Sequence, residues 1–396
     1  MKKINLFKPC IYPLLWLTLT CQALAISAHN VLVSYTVLGD FSRETGQQVL
    51  NKTPGLDSLQ SHFDLQLYKI NYKTQAPDGS LTLASGLVAM PQNPVNPVAI
   101  VSYQHGTRFE RNDVPSRNNE KNYIYLAAYG NSAGYMTVMP DYLGLGDNEL
   151  PIHPYVQADT LAQSSIDMLF AAKELSHVLN YPLSDKLYLA GYSEGGFSTV
   201  VMFEKLAKDY PDISITAVAP GSAPFGLKET MTFVMLDPGP RATAYLAYFF
   251  YSLQHYLGYW SGYDEIFAPP YNQLIPELMD GQHTTLEILK SLPQNPQLIF
   301  QASFAMGILG ETDKNMEALQ KNFNHYEFKP TAPLLLVGTK GDHDVPFSGA
   351  EMAYQFFRKY SDQVWIKSVS DTLDHVQAHP YILKEQIDFF KQYDMQ

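Results

Sequence analysis

Hydrophobic and polar residues alternate with period two over 64–74 and again over 81–91. Such alternation predicts strands with one buried face, and the turn Ala76-Pro-Asp-Gly79 between them predicts an antiparallel hairpin. From Val98 the rhythm changes. Short apolar runs recur at 98–103, 135–139, 186–190, 215–219, 333–337 and 364–369. Each has strand length and is mostly apolar, the pattern of a strand in a sheet covered by helices. Longer stretches with helical spacing follow several of them, at 123–128, 161–179, after Ser193, at 347–360 and at 382–392. Strands alternating with helices predict an α/β class protein: a mostly parallel central sheet with helices on both faces.

About a hundred residues separate the strand at 215–219 from the strand at 333–337. A gap of that length is too long for loop alone, so a mostly helical cap is expected over 226–329, inserted above the carboxyl ends of the strands. The core is then divided into 26–225 and 330–396. Within the insertion, Tyr245, Tyr248, Phe249, Phe250, Tyr251, Tyr256, Tyr259, Trp260 and Tyr263 crowd into nineteen positions. Two readings stand beside each other: rings that hold an acyl chain or meet a lipid interface, and rings that pack the cap onto the core.

Gly191-Tyr-Ser193-Glu-Gly195 follows one apolar run and opens a helical stretch, the setting of a nucleophile elbow. A second match, Gly130-Asn-Ser132-Ala-Gly134, follows a helix and precedes a strand, so Ser132 reads as a turn serine. A serine hydroxyl needs a base to take its proton and an acid to orient that base. Asp342 lies just past the run 333–337 and is preferred as the acid over Asp344, two residues on. His375 follows the next strand and is preferred as the base over His379, which Pro380 marks as a helix start. Oxyanion donors are expected from the backbone N–H of Glu194, next to the nucleophile, and of Thr107 in the loop after the early strand, with Gly106 the alternative. His105 is read as shaping that loop. The neighbouring Asp342-His343-Asp344 also suggests a metal site, but no further ligand cluster accompanies it.

Composition narrows the setting. Hydrophobic residues make up 46% of the 396 positions and charged residues 17%, enough for a sizeable core. Lys2, Lys3 and Lys8, an apolar stretch at 11–19 and Ala23-Leu-Ala25 predict a signal peptide over 1–25, with an uncleaved anchor as the alternative. Cleavage would move the net charge from −12 to −15 and remove both cysteines, Cys10 and Cys21. A cysteine-free acidic chain argues against thiol catalysis, disulfides and nucleic-acid partners, and the signal peptide predicts a secreted or periplasmic location.

As a set, Tyr103-Gln-His-Gly-Thr107, Asp113-Val-Pro-Ser116, Pro140-Asp-Tyr-Leu-Gly-Leu-Gly-Asp147, His153-Pro-Tyr155 and Gly191-Tyr-Ser-Glu-Gly-Gly196 resemble the secretory lipase family, which includes fungal lipase A-type enzymes and bacterial relatives. The resemblance spans roughly 64–225 and 330–392. It implies an α/β-hydrolase core, a Ser193-Asp342-His375 triad, a helical cap, no cofactor, and hydrolysis of acylglycerols or simpler esters. Two other expectations remain open: an aminopeptidase on the same fold, with Asp264 or Glu265 holding the substrate amine, and a binding protein that keeps the fold without chemistry.

Overall fold

The computed structural model describes residues 30–117 and 120–394. The signal-peptide expectation, with Cys10 and Cys21, falls outside them. Nine strands form one sheet in the order β1-β2-β3-β5-β4-β6-β7-β8-β9. β1 (Leu32–Phe41), β2 (Leu65–Gln75) and β3 (Leu81–Pro91) form an antiparallel meander, and β3 joins β5 (Met136–Pro140) antiparallel. From there every pairing is parallel, through β4 (Val98–Gln104), β6 (Leu183–Tyr192), β7 (Ala217–Gly221), β8 (Leu334–Gly338) and β9 (Val364–Ser368).

The inner apolar runs are strands with both faces buried, whereas β9, at the sheet edge, buries only Val364 and leaves Trp365 exposed. Along β6, Leu187 and Leu189 pack into one cluster with Ile166, Met168 and Phe203, while Tyr188 and Ala190 pack into the opposite one with Tyr129 and Phe390. β8 divides the same way, Leu334 and Leu336 against Leu335 and Val337. Helices Ala158–Val178, Glu194–Asp209 and Phe347–Phe357 cover the first face, and helices Arg43–Lys52 and His379–Asp394 the second. Between β7 and β8 the chain leaves the sheet and runs through helices from Leu227–Leu236 and Ala242–Leu257 to Met316–Phe323. These build a third apolar cluster with the loops beyond the strand ends.

Two local readings change. The hydrophobic pattern does not predict β1. It is an edge strand with Val33, Tyr35 and Val37 exposed, so its alternation does not mark burial. The helical stretch at 123–128 is one α-turn, Tyr123–Tyr125, that widens into a π-helical segment, Leu126–Ser132. Ser132 closes that buried segment just before Gly134 turns the chain into β5, and is no elbow.

Candidate active site

The three expected residues meet at the carboxyl ends of the parallel strands, where ligands of such sheets bind. Ser193 follows β6, Asp342 follows β8, and His375 follows β9. Ser193 takes φ 61° and ψ −123°, the strained turn that lifts a side chain above a sheet edge. The turn is tight enough to exclude side chains on both flanks. A Cβ on Gly191 would sit 2.1 Å from the Gly195 carbonyl oxygen, and one on Gly195 would sit 1.9 Å from that of Gln104. Below the elbow, the Gln386 amide donates to the Gly191 and Ala219 carbonyls at 2.9 and 2.7 Å, and Tyr129 donates to Gln386.

His375 Nε2 lies 2.9 Å from Ser193 Oγ, and its Nδ1 lies 2.6 Å from Asp342 Oδ2. Solvent barely reaches the three side chains: Ser193 is 6% exposed, His375 3% and Asp342 1%. Nδ1 facing a carboxylate carries the proton, which leaves Nε2 free to accept from the serine. Asp342 Oδ1 accepts from the backbone N–H groups of Asp344 and Val345 at 2.9 and 2.8 Å, so its own loop fixes the carboxylate. Thr339 joins the two loops, its hydroxyl 2.9 Å from the Ser370 carbonyl and 3.0 Å from that of Leu373. Tyr192 also donates to the His375 carbonyl. Burial disfavours the charged imidazole, but the charge and hydrogen bond of Asp342 outweigh it, with Asp344 adding to them, and His375 is held above its ordinary value.

The competitors are engaged elsewhere. Asp344 accepts from the Arg241 backbone and pairs with its guanidinium at 3.0 Å. His379 opens the last helix, packs on Tyr192, and is driven by burial to about 3, which keeps it neutral. His105 is also pushed to about 3, again mainly by burial, and donates from Nδ1 to the Gly106 carbonyl at 2.7 Å. It braces the loop after β4, together with Tyr142, whose hydroxyl donates to the His105 carbonyl. Gly106 in that loop lies against the Tyr192 carbonyl and the Ser193 Cβ. Asp264 and Glu265 lie away from the elbow: Asp264 pairs with Asn272, and exposed Glu265 binds Ser261 and Lys314. No group of residues suited to a metal ion occurs among the described residues.

One feature of the site has no signature in the sequence. Glu194, the residue after the nucleophile, is buried with Oε1 2.7 Å from His153 Nε2. His153 Nδ1 faces the Leu143 carbonyl at 2.7 Å and must donate there, so a second proton sits between Nε2 and Glu194. The pair therefore carries no net charge beside the nucleophile. His153→Ala is expected to cost about 3 kcal/mol of folding stability, because it strands a buried carboxyl without its partner. Urea unfolding of the variant measures that loss.

Beside Ser193 a cavity of about 60 Å³ opens into the insertion, lined chiefly by apolar side chains such as Met231, Val234, Leu246, Phe249 and Phe323. Of the aromatic cluster, Tyr248 stacks on Tyr155 of the core with ring centroids 4.6 Å apart. Tyr245 and Phe249 face the cavity, while Phe250 packs edge-on against Trp260, Phe300 and Phe304.

No family model and no curated protein matches the sequence. Among solved structures, a protein of Legionella pneumophila subsp. pneumophila assigned as a hydrolase is 77% identical over 92% of this chain and 99% of its own, with a TM-score of 0.92. The rice cell wall degrading esterase LipA of Xanthomonas oryzae is 22% identical over 92% of this chain and 100% of its own, with a TM-score of 0.83. Candida antarctica lipase A in its closed state is 15% identical over 91% and 81%, with a TM-score of 0.65. The last two share the fold.

Proposed function

Since this chain has the α/β-hydrolase fold and belongs to one family with a hydrolase 77% identical to it, we propose that it is a secreted hydrolase of carboxylic esters working through Ser193, His375 and Asp342. The observation that carries this reading is the unbroken hydrogen-bonded series from Ser193 through His375 to Asp342 at a strained elbow. His375 takes the serine proton as Oγ attacks the ester carbonyl. Asp342 holds the ring and balances the imidazolium that forms. Glu194 opens a helix, so its backbone N–H has no partner within that helix and is available to the oxyanion. Thr107 supplies the second donor, from a loop that Gly106 holds against the elbow. His375 then passes its proton to the leaving alcohol, and water drawn through the same base releases the acid from the acyl-enzyme.

We read the helices between β7 and β8 as a cap, and the apolar cavity beneath it as the acyl site. Its free volume holds only a few water molecules, so a short acyl chain fits where a long one must displace the cap. The expected result is a kcat/KM for nitrophenyl butyrate above that for nitrophenyl palmitate. Preference for palmitate would mean that the cap opens at a lipid interface, and inertness toward both would reject the ester reading.

A further inference from the structure

The chain has six arginines. Five have acceptors in the fold: Arg43 on Glu44, Arg111 on the Leu150 carbonyl, Arg117 on Asp147, Arg241 on Asp344, and Arg358 on the Asp362 carbonyl. Arg108 is the exception. Its Nε is buried without a hydrogen-bond partner, and among the described residues no carboxylate or carbonyl receives its guanidinium. A partly buried cation left without an acceptor is costly unless something outside the fold supplies one.

Its neighbours say where that charge sits. Gly106, two residues earlier, lies against Ser193. The Thr107 hydroxyl is 2.9 Å from the Tyr155 hydroxyl, and Phe109 stacks on Tyr245 with ring centroids 6.3 Å apart. Tyr155 and Tyr245 both line the cavity, yet Arg108 does not. Its charge bears on cavity-lining Tyr245 and, outside that lining, on His105 and His379, where it adds to the dominant effect of burial. His379 shares the Tyr192 ring with His375. The guanidinium is therefore carried by a loop at the site but stays out of the lining of the apolar cavity, which leaves it the alcohol part of an ester and not the acyl chain.

We propose that Arg108 is a specificity residue that binds an anionic group, carboxylate or phosphate, on the alcohol part of the ester. The proposal rests on the ester-hydrolase reading. The guanidinium fork matches either oxyanion with two parallel hydrogen bonds. Elsewhere the acidic chain repels anions, so the attraction is local to this loop.

The test compares three butyrate esters of one phenol framework: 3-(butyryloxy)benzoate, its uncharged methyl ester, and 3-(butyryloxy)phenyl phosphate. The expected result is a kcat/KM ratio of anionic to neutral ester of about tenfold in the unaltered enzyme, falling as salt is added. Arg108→Gln should abolish that ratio and Arg108→Lys should keep part of it. Taking ratios cancels any general loss of activity in the variants, and the ratio of the unaltered enzyme needs no variant at all. The arm with the larger Arg108-dependent ratio identifies the anion. A ratio of one in the unaltered enzyme, or one unchanged in Arg108→Gln, overturns the proposal and leaves the ester reading standing. Failure to hydrolyse any of the three removes both.

Discussion

Replacing Ser193 with alanine is expected to lower kcat for ester hydrolysis by on the order of 10⁶-fold, with folding intact. The size of the effect follows from the absence of a substitute. Ser222 is the nearby serine after β7, and its buried hydroxyl has no hydrogen-bond partner, so no base activates it. Ser132 lies at the end of a helical segment before β5. Alanine also removes no packing of consequence, because Ser193 contributes only a hydroxyl to the elbow. Steady-state kinetics on nitrophenyl butyrate, with circular dichroism as the control for folding, reads this directly. A variant that keeps a tenth of its activity would mean that another group attacks the ester.

The second large effect is expected at Asp342. Asp342→Asn should lower kcat by about 10⁴-fold, because an amide can offer an N–H where the carboxylate accepts one and so favours the wrong imidazole tautomer. Asp344→Asn should cost far less, since Asp344 touches Arg241 and not His375. The pH profile adds an independent reading. Only neutral His375 can take the Ser193 proton, so kcat/KM falls as pH drops through its raised pKa. The acid limb of the unaltered enzyme should therefore have its midpoint above the ordinary 6.5. In Asp342→Asn the attractive charge is gone while burial, the opposing influence, remains. Its residual activity should show the limb displaced to lower pH.

What the sequence made legible was whatever repeats along the chain or sits at a fixed offset from an element. β4, β6 and β8 stand out as apolar runs because parallel strands bury both faces. Ser193 and Asp342 stand out because each follows such a run, and His375 because it follows the last strand, β9, and precedes the last helix. Asp342 could be preferred over Asp344 by position alone, but only the backbone N–H groups of 344 and 345, which hold Asp342, show why the loop selects it. The less legible features depend on contacts between distant residues. Glu194 and His153 are 41 positions apart and become a pair only when the loop after β5 folds over the elbow. Gln386 reaches Gly191 across 195 positions. Arg108 is visible as an arginine in any reading, but its lack of a partner is a property of the folded molecule. β1 is illegible for the opposite reason, since an edge strand does not have to bury what it alternates.

The central claim is that Ser193 is the activated nucleophile, and covalent labelling tests it most directly. The protein would be incubated with a fluorophosphonate, digested, and the modified peptide located by mass spectrometry, alongside Ser193→Ala. The account predicts one adduct, on Ser193, formed stoichiometrically and absent from the variant. An adduct on a different serine, or an unlabelled enzyme that still hydrolyses butyrate, would contradict it.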